Sequence, residues 1–230
     1  TPAIGIYKLS KLTQQLIQKF YNDLLEQGLS SRTVKYVHVI LKQSLKDAII
    51  NHLITSNPCD NVVLPKQTHR EMKVLTLEQA KIFLDVCKFS TWGMIFELLL
   101  ITGMRPSEAL ALKWDDIDWI NHRINIQRTL SYIDKKWTLI EPKTNNSRRS
   151  VPIPEATVNR LKTWRKLQAS QILKAKNYHD NKLVFATQTG DPIHETWLAS
   201  RPFKKLLRDA GLPDIRLYDL RHTCATLLLM

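Results

Sequence analysis

Tyr218-Asp219-Leu220-Arg221-His222-Thr223-Cys224-Ala225-Thr226 reads as the opening turns of an apolar helix with a charged side chain set into it. Leu220, Ala225, Leu227 and Leu228 are the residues that should pack inward, and Arg221 stands among them. A guanidinium is permanently charged and carries five donors in a rigid fork, so it is costly to bury without an anion. Two partners satisfy it: a structural carboxylate, or a phosphate gripped by two parallel N–H bonds. This stretch alone leaves both open.

Working outward, a second arginine in an unusual setting lies upstream, in Ile101-Thr102-Gly103-Met104-Arg105-Pro106-Ser107-Glu108-Ala109-Leu110. The apolar run 95–101 breaks at Gly103. Pro106 suits the first position of a new helix, where its missing N–H costs nothing. It also pushes Arg105 out of the helical region. Arg105 then stands at a helix N-terminus, where free N–H groups and the dipole favour an anion. The plainer alternative is an ordinary turn with Arg105 paired to Glu108.

Taken together, Thr-Gly-Met-Arg-Pro-Ser-Glu-Ala-Leu and Leu-Tyr-Asp-Leu-Arg-His-Thr-Cys-Ala-Thr resemble the two arginine boxes of the tyrosine recombinases, the phage integrase family. The order of the boxes, their wide separation and the strand region between them match as well. The resemblance covers residues 75–230 well and the N-terminal part only in general character. It implies an α+β fold, mainly α with a small antiparallel β-sheet: a helical core-binding domain plus an integrase-type catalytic domain. The boundaries expected are residues 1–63 for the helical DNA-binding domain, 64–74 for a linker and 75–230 for the catalytic domain.

Composition agrees with a polyanionic partner. The 230 residues carry a formal net charge of +13, with a pI near 9.7, and the surplus is spread along the chain. For a basic folded protein of this size nucleic acid is the default partner, ahead of a membrane surface. No run of about eighteen apolar residues occurs, so no transmembrane helix is expected. Cys59, Cys87 and Cys224 are far apart and without metal spacing. They read as reduced, buried thiols of a cytosolic protein. No metal and no cofactor are expected. Thr1 in place of Met fits a piece of a longer protein.

The chain in order gives a first helix over about 12–26, capped by Thr13 and stopped at Gly28, with Leu16, Ile17, Phe20, Tyr21 and Leu24 inward. A second starts at Ser30 or Ser31 and buries Val34, Val37, Leu41, Leu45 and Ala48. Arg32, Lys35, Lys42 and Lys46 line it, either as a solvated face or against a DNA backbone, where contacts give affinity without sequence information. Thr76 and Gln79 form a capping box for the first of three helices, at about 77–88, 91–102 and 106–113. Period-two alternation over 123–127, 137–141 and 150–153 predicts a three-stranded antiparallel sheet. A long helix over 154–174 presents Val158, Leu161, Trp164 and Leu167 on one face. Leu183-Val184-Phe185 reads as a buried strand. A last amphipathic segment over about 195–210 turns Trp197, Phe203 and Leu206 inward and stops at Gly211.

The turn between the last two strands carries Pro142-Lys143-Thr144 and then Arg148-Arg149. On their own these are solvated turn charges. The resembling family holds a catalytic lysine in this hairpin, and Lys143 matches it. An ammonium is a compact donor suited to protonating a leaving oxygen. Thr144, Arg148 and Arg149 are expected on backbone phosphates, with Arg32, Lys35 and Lys42 as further DNA contacts.

The resemblance further implies a site-specific DNA recombinase, an integrase of a phage or integrative mobile element. Such enzymes cut one strand when a tyrosine attacks the phosphate, forming a 3′-phosphotyrosyl bond, and rejoin it by the reverse reaction without a nucleotide cofactor. Arg105 and Arg221 would stabilise the charge of the transition state. Tyr218 stands where the family usually has histidine; it can donate a hydrogen bond, and with a reference pKa near 10 it is a poorer base. His222 is expected to be structural. The family's later histidine box and nucleophilic tyrosine find no match before Met230, so this polypeptide alone is expected not to transfer strands. Double-stranded DNA is the expected partner, with tetramer assembly on it and a bacterial cytoplasmic location. Two other readings are a DNA-binding module without catalysis and a type IB topoisomerase.

Overall fold

The computed structural model describes residues 3–67, 72–141 and 148–229. The chain divides into two compact units, Thr1–Glu71 and Met72–Met230.

The first unit is a helical hairpin, α1 (Gln14–Glu26) and α2 (Ser31–Ile50). Thr13 caps α1 through Oγ1 and Ser30 caps α2 in the same way. Gly28 takes a left-handed φ of +85° that ends α1, a conformation open to glycine without a Cβ penalty. Ile17, Phe20, Tyr21, Val34, Leu45 and Cys59 form its core. Inside that core sits a polar group that apolar periodicity does not reveal. The Tyr21 hydroxyl lies 3.2 Å from His38 Nδ1 and 3.8 Å from Cys59 Sγ. Burial pushes the Tyr21 phenol and the Cys59 thiol up and the His38 imidazole down, so all three stay neutral.

The second unit is built around α4 (Gly93–Thr102), which is buried on nearly every side. A helix that is apolar all round belongs in a core, and α3 (Leu77–Cys87), α6 (Glu155–Lys174) and α9 (Asp219–Leu228) pack on it or close by. The Thr76–Gln79 capping box at the start of α3 is present in both directions. Glu97 is the acidic residue of α4. It is satisfied by Arg160 and by Thr157 Oγ1 at 3.1 Å.

Antiparallel strands do occur, in a different arrangement from the one expected. The three-stranded sheet has the order β1 (Ile117–Asp118), β2 (Arg123–Ile126) and β5 (Arg149–Pro152), and β3 (Thr129–Ile133) pairs with β4 (Lys136–Ile140) in a separate two-stranded ribbon. Period two located β2, β4 and β5. It missed β1, which is two residues long, and it missed β3, which pairs Tyr132 with Trp137 across the ribbon. Residues 183–185 are buried, yet beyond one bridge between Lys113 and Leu183 they form no strand. The helix after Pro106, α5 (Pro106–Leu110), is five residues rather than eight. The segment 195–209 is α7 (Glu195–Leu198), a π-helical turn (Ala199–Phe203) containing Pro202, and α8 (Lys204–Asp209).

Several side chains face otherwise than the periodicity suggests. In α6, Leu167 is exposed, and Gln168 is buried in its place, bonding Trp114 Nε1 and the carbonyls of Leu183 and Val184. In α9, Ala225 and Leu228 are exposed; Leu220, Thr223 and Cys224 face inward. Trp197 is partly exposed and meets Trp92 edge-on.

Candidate functional site

Two segments separated by more than a hundred residues meet at the C-terminal end of α4. Gly103 ends that helix with φ +59°, and a Cβ built there would lie 3.1 Å from Cys224 Sγ. The glycine lets α9 come close. Arg221 Nη1 then donates to the Gly103 carbonyl, and Cys224 Sγ reaches the Ile101 carbonyl at 3.5 Å. Thr223 Oγ1 accepts from the Leu75 N–H at 3.1 Å, fixing α9 from its other side. Arg105 follows two residues after Gly103, in extended conformation (φ −70°, ψ 147°) because Pro106 comes next. Arg105 thus lies in the short loop after α4, and Arg221 reaches the same loop from α9.

The electrostatics around Arg105 are set by Glu108, whose side chain is 5% exposed. Its Oε2 accepts from the Arg105 backbone N–H at 2.8 Å and from Arg149 Nη2 at 2.7 Å. Its Oε1 accepts from Arg105 Nη1 at 2.8 Å and Arg149 Nη1 at 3.1 Å. Burial alone would raise the Glu108 pKa; the bonds from Arg149, then Arg105, bring it below the usual carboxylate range. Glu108, with the Tyr218 phenol behind it, holds the Arg105 guanidinium above its ordinary value. The pairing of Arg105 with Glu108 is therefore real, but the carboxylate is shared between two cations. Arg221 has no carboxylate within 4.0 Å among the described residues. Two guanidinium groups share one carboxylate and Arg221 rests on a carbonyl, which leaves a positive surplus that an anion can use.

The entry to α9 is fixed by a second buried carboxylate. Asp219 accepts from the Arg216 backbone N–H, Nε and Nη2, the last at 2.8 Å, and is 3% exposed. Opposed by burial, the Arg216 bonds still keep its carboxyl below the usual range. This places Tyr218 at the helix entry, partly exposed, with its ring 5.5 Å from that of His222.

Donor use separates the arginines. An arginine offers five N–H donors. Among the described residues the side chains of Arg105 and Arg221 each make one hydrogen bond. Arg149 lays its fork on both oxygens of Glu108, and Arg216 lays its own on Asp219. Arg160 bonds Glu97 with one terminal nitrogen and the Cys87 carbonyl with the other. Arg105 and Arg221 have donors to spare; the others are structural clamps. The short length of α5 weakens the expected helix-end attraction, so fixed guanidinium charge is what recommends the site to an anion.

The other expected residues divide. Lys143 and Thr144 lie outside the described residues. Arg148 pairs with Glu141 on the surface. Arg149, expected on backbone phosphate, instead sits on Glu108. On α2, Lys35 is exposed, Arg32 stacks 5.7 Å over the Tyr36 ring, and Lys42 pairs with Asp60 at 2.9 Å. The Arg149–Glu108 and Arg216–Asp219 clamps were not foreseen. Arg216 three residues before Asp219, just ahead of a helix, was a usable local signal. Arg149 is 41 residues from Glu108, and nothing local announces that contact.

Comparison with known proteins gives the family. A family model described as the phage integrase family matches residues 73–230. The chain is 33% identical over 238 residues to the tyrosine recombinase XerC-like protein of Caldanaerobacter subterraneus subsp. tengcongensis, covering 95% of this chain and 61% of that one. It is 31% identical over 228 residues to the ICEBs1 integrase of Bacillus subtilis, covering 96% and 60%. The chain thus spans about three-fifths of the length of these relatives. In fold it is similar to the Tn1549 transposon integrase in complex with transposon right end DNA, with TM-score 0.84, 22% identity, and 98% and 75% coverage. It is also similar to a lambda integrase tetramer bound to a Holliday junction, with TM-score 0.68, 18% identity, and 98% and 62% coverage. The family model takes in more than half of the chain and both arginine segments: the chain belongs to the phage integrase family.

Proposed function

We propose that this chain is the DNA-engaging and phosphate-activating part of a site-specific recombinase, an integrase of a phage or integrative mobile element. In this reading residues 1–63 are a helical core-binding domain, 64–74 a linker and 75–230 the catalytic domain. Arg105 and Arg221 grip the non-bridging oxygens of one phosphodiester and stabilise the added charge of the transition state. Tyr218 donates a hydrogen bond to the same group, and Lys143 protonates the leaving 5′-oxygen. The whole protein cuts and rejoins strands through a 3′-phosphotyrosyl intermediate and assembles as a tetramer on double-stranded DNA in the bacterial cytoplasm. Arg32, Lys35, Lys42, Thr144 and Arg148 supply backbone contacts, which give affinity and register.

The observation that carries this reading is the convergence of Arg105, in the loop after α4, and Arg221, which bonds that loop from α9, each with unspent donors. The test uses duplexes that this chain selects from a randomised pool, rebuilt with one neutral methylphosphonate at each position in turn. One position should weaken binding by about tenfold, the equivalent of one charge-assisted contact of about 1.4 kcal/mol. That penalty should vanish in Arg105→Ala and in Arg221→Ala. A flat scan, or a penalty that survives both substitutions, refutes the proposal.

A further inference from the structure

Arg149 looks at first like one more basic side chain for DNA. Its geometry says otherwise. It opens β5, pairs with Ile126 of β2, and lays both terminal nitrogens on the two oxygens of Glu108, at 3.1 and 2.7 Å. Its side chain is mostly covered, at 27% exposure. Fork-on-fork contact of this kind is the most directional bond arginine makes. Arg105, in contrast, touches the same carboxylate through a single terminal nitrogen.

We propose that Arg149 is a positioning residue: by occupying both oxygens of Glu108 it keeps Arg105 from closing its own fork on that carboxylate, leaving Arg105 donors for a phosphate. The inference rests on the phosphate-site reading above and adds a part to it. Glu108 has room for one bidentate partner. With Arg149 in that role, Arg105 is tethered through its backbone N–H and one Nη1 bond, and its remaining edge is open. Without Arg149, Arg105 is the guanidinium left beside a buried anion, and the strongest contact open to it is bidentate. It would then turn inward and be neutralised. The same clamp fixes the start of β5 against α5, so the strand and the Arg105 segment keep one spacing.

The test is the methylphosphonate comparison at the position where wild type discriminates. Arg149→Ala should lose the penalty, about tenfold, as Arg105→Ala does, and the double variant should lose no more. Arg149→Lys, which keeps the charge without the fork, should retain part of it and covers the case in which Arg149→Ala does not fold. The decisive variant is Glu108→Gln in the Arg149→Ala background. Removing the carboxylate that captures Arg105 should restore part of the discrimination. A role limited to holding the fold predicts a lower Tm with discrimination intact; that result overturns the proposal. So do multiplying effects of the substitutions at 105 and 149, which would mean that Arg149 itself touches phosphate. Failure of the double variant to recover discrimination also overturns it. If Arg105→Ala itself keeps the penalty, the phosphate-site reading falls and takes this proposal with it.

Discussion

Glu108→Gln removes one charge and keeps the shape, so it isolates what the shared carboxylate contributes. In the wild type Glu108 accepts four bonds, two from each of Arg105 and Arg149. A glutamine has one oxygen and one NH2 group, so at one former oxygen position donor would face donor. Breaking a buried ion pair from one side costs about 3–5 kcal/mol. Here the arginines recover some hydration, being 45% and 27% exposed, which discounts the loss to about 2–3 kcal/mol. For a domain of this size that corresponds to a Tm lower by roughly 5–10 °C. The dependence on pH supplies a sharper criterion. The folded carboxyl titrates below its ordinary value of 4.5. Its contribution is therefore complete above about pH 4.5 and is lost as pH falls through the lower folded value. Urea unfolding of wild type and variant, followed by tryptophan fluorescence, should show the full difference at pH 7 and a shrinking one below about pH 4. A difference at pH 7 under about 0.5 kcal/mol, the size of an ordinary surface substitution, refutes the shared-carboxylate account. So does a difference that stays constant down to pH 3.

Three further outcomes follow from the packing. Gly103→Ala adds a Cβ 3.1 Å from Cys224 Sγ at φ +59°, so it should destabilise by about 1–2 kcal/mol; it should also weaken phosphate discrimination, because the Gly103 carbonyl holds Arg221. The three cysteines are buried free thiols with raised pKa values, Cys87 pushed up to about 12, and should resist a thiol reagent at pH 8 until urea unfolds the chain. His38 is held below its ordinary value of 6.5, by burial first and then by Lys42, so the first unit keeps that stabilisation above pH 6.5 and loses it as pH falls through the lower folded value. Amide exchange in α1 and α2, corrected for intrinsic rates, should show protection falling from pH 7.5 to 5.5, and His38→Gln should flatten the trend.

Much of the fold was legible where one local rule sufficed. Thr13, Ser30 and Thr76 announced helix starts because capping is settled within three residues. The apolar run 95–101, crossed only by Glu97, announced the helix that became the buried α4. The sheet was harder: β1 has too few residues for a period to register, β3 buries only Leu130 and so alternates poorly, and pairing partners are fixed by contacts that no local window contains. Leu167 and Gln168 exchanged places because a helical face fixed by spacing leaves open which residue near its edge is buried, and here the amide found three partners. Both arginine boxes were visible, and so was the pairing of Arg105 with Glu108. What could not be read was how many cations share that carboxylate.

That count decides the chemistry. A lone arginine beside its own buried glutamate is neutral, and offers a phosphate little beyond hydrogen bonds. Two arginines on one glutamate leave a net charge of +1, and the geometry assigns that surplus. Arg149 takes the bidentate place and is mostly buried; Arg105 takes the single bond and is nearly half exposed. The surplus therefore resides on Arg105, beside Arg221, which among the described residues is anchored only by a neutral carbonyl. A backbone carbonyl orients a guanidinium without cancelling its charge. The arrangement thus holds two cations in fixed positions before any ligand arrives, which is the condition under which electrostatic stabilisation costs no reorganisation during reaction. A carboxylate in place of the Gly103 carbonyl would hold Arg221 as firmly and remove half of that field.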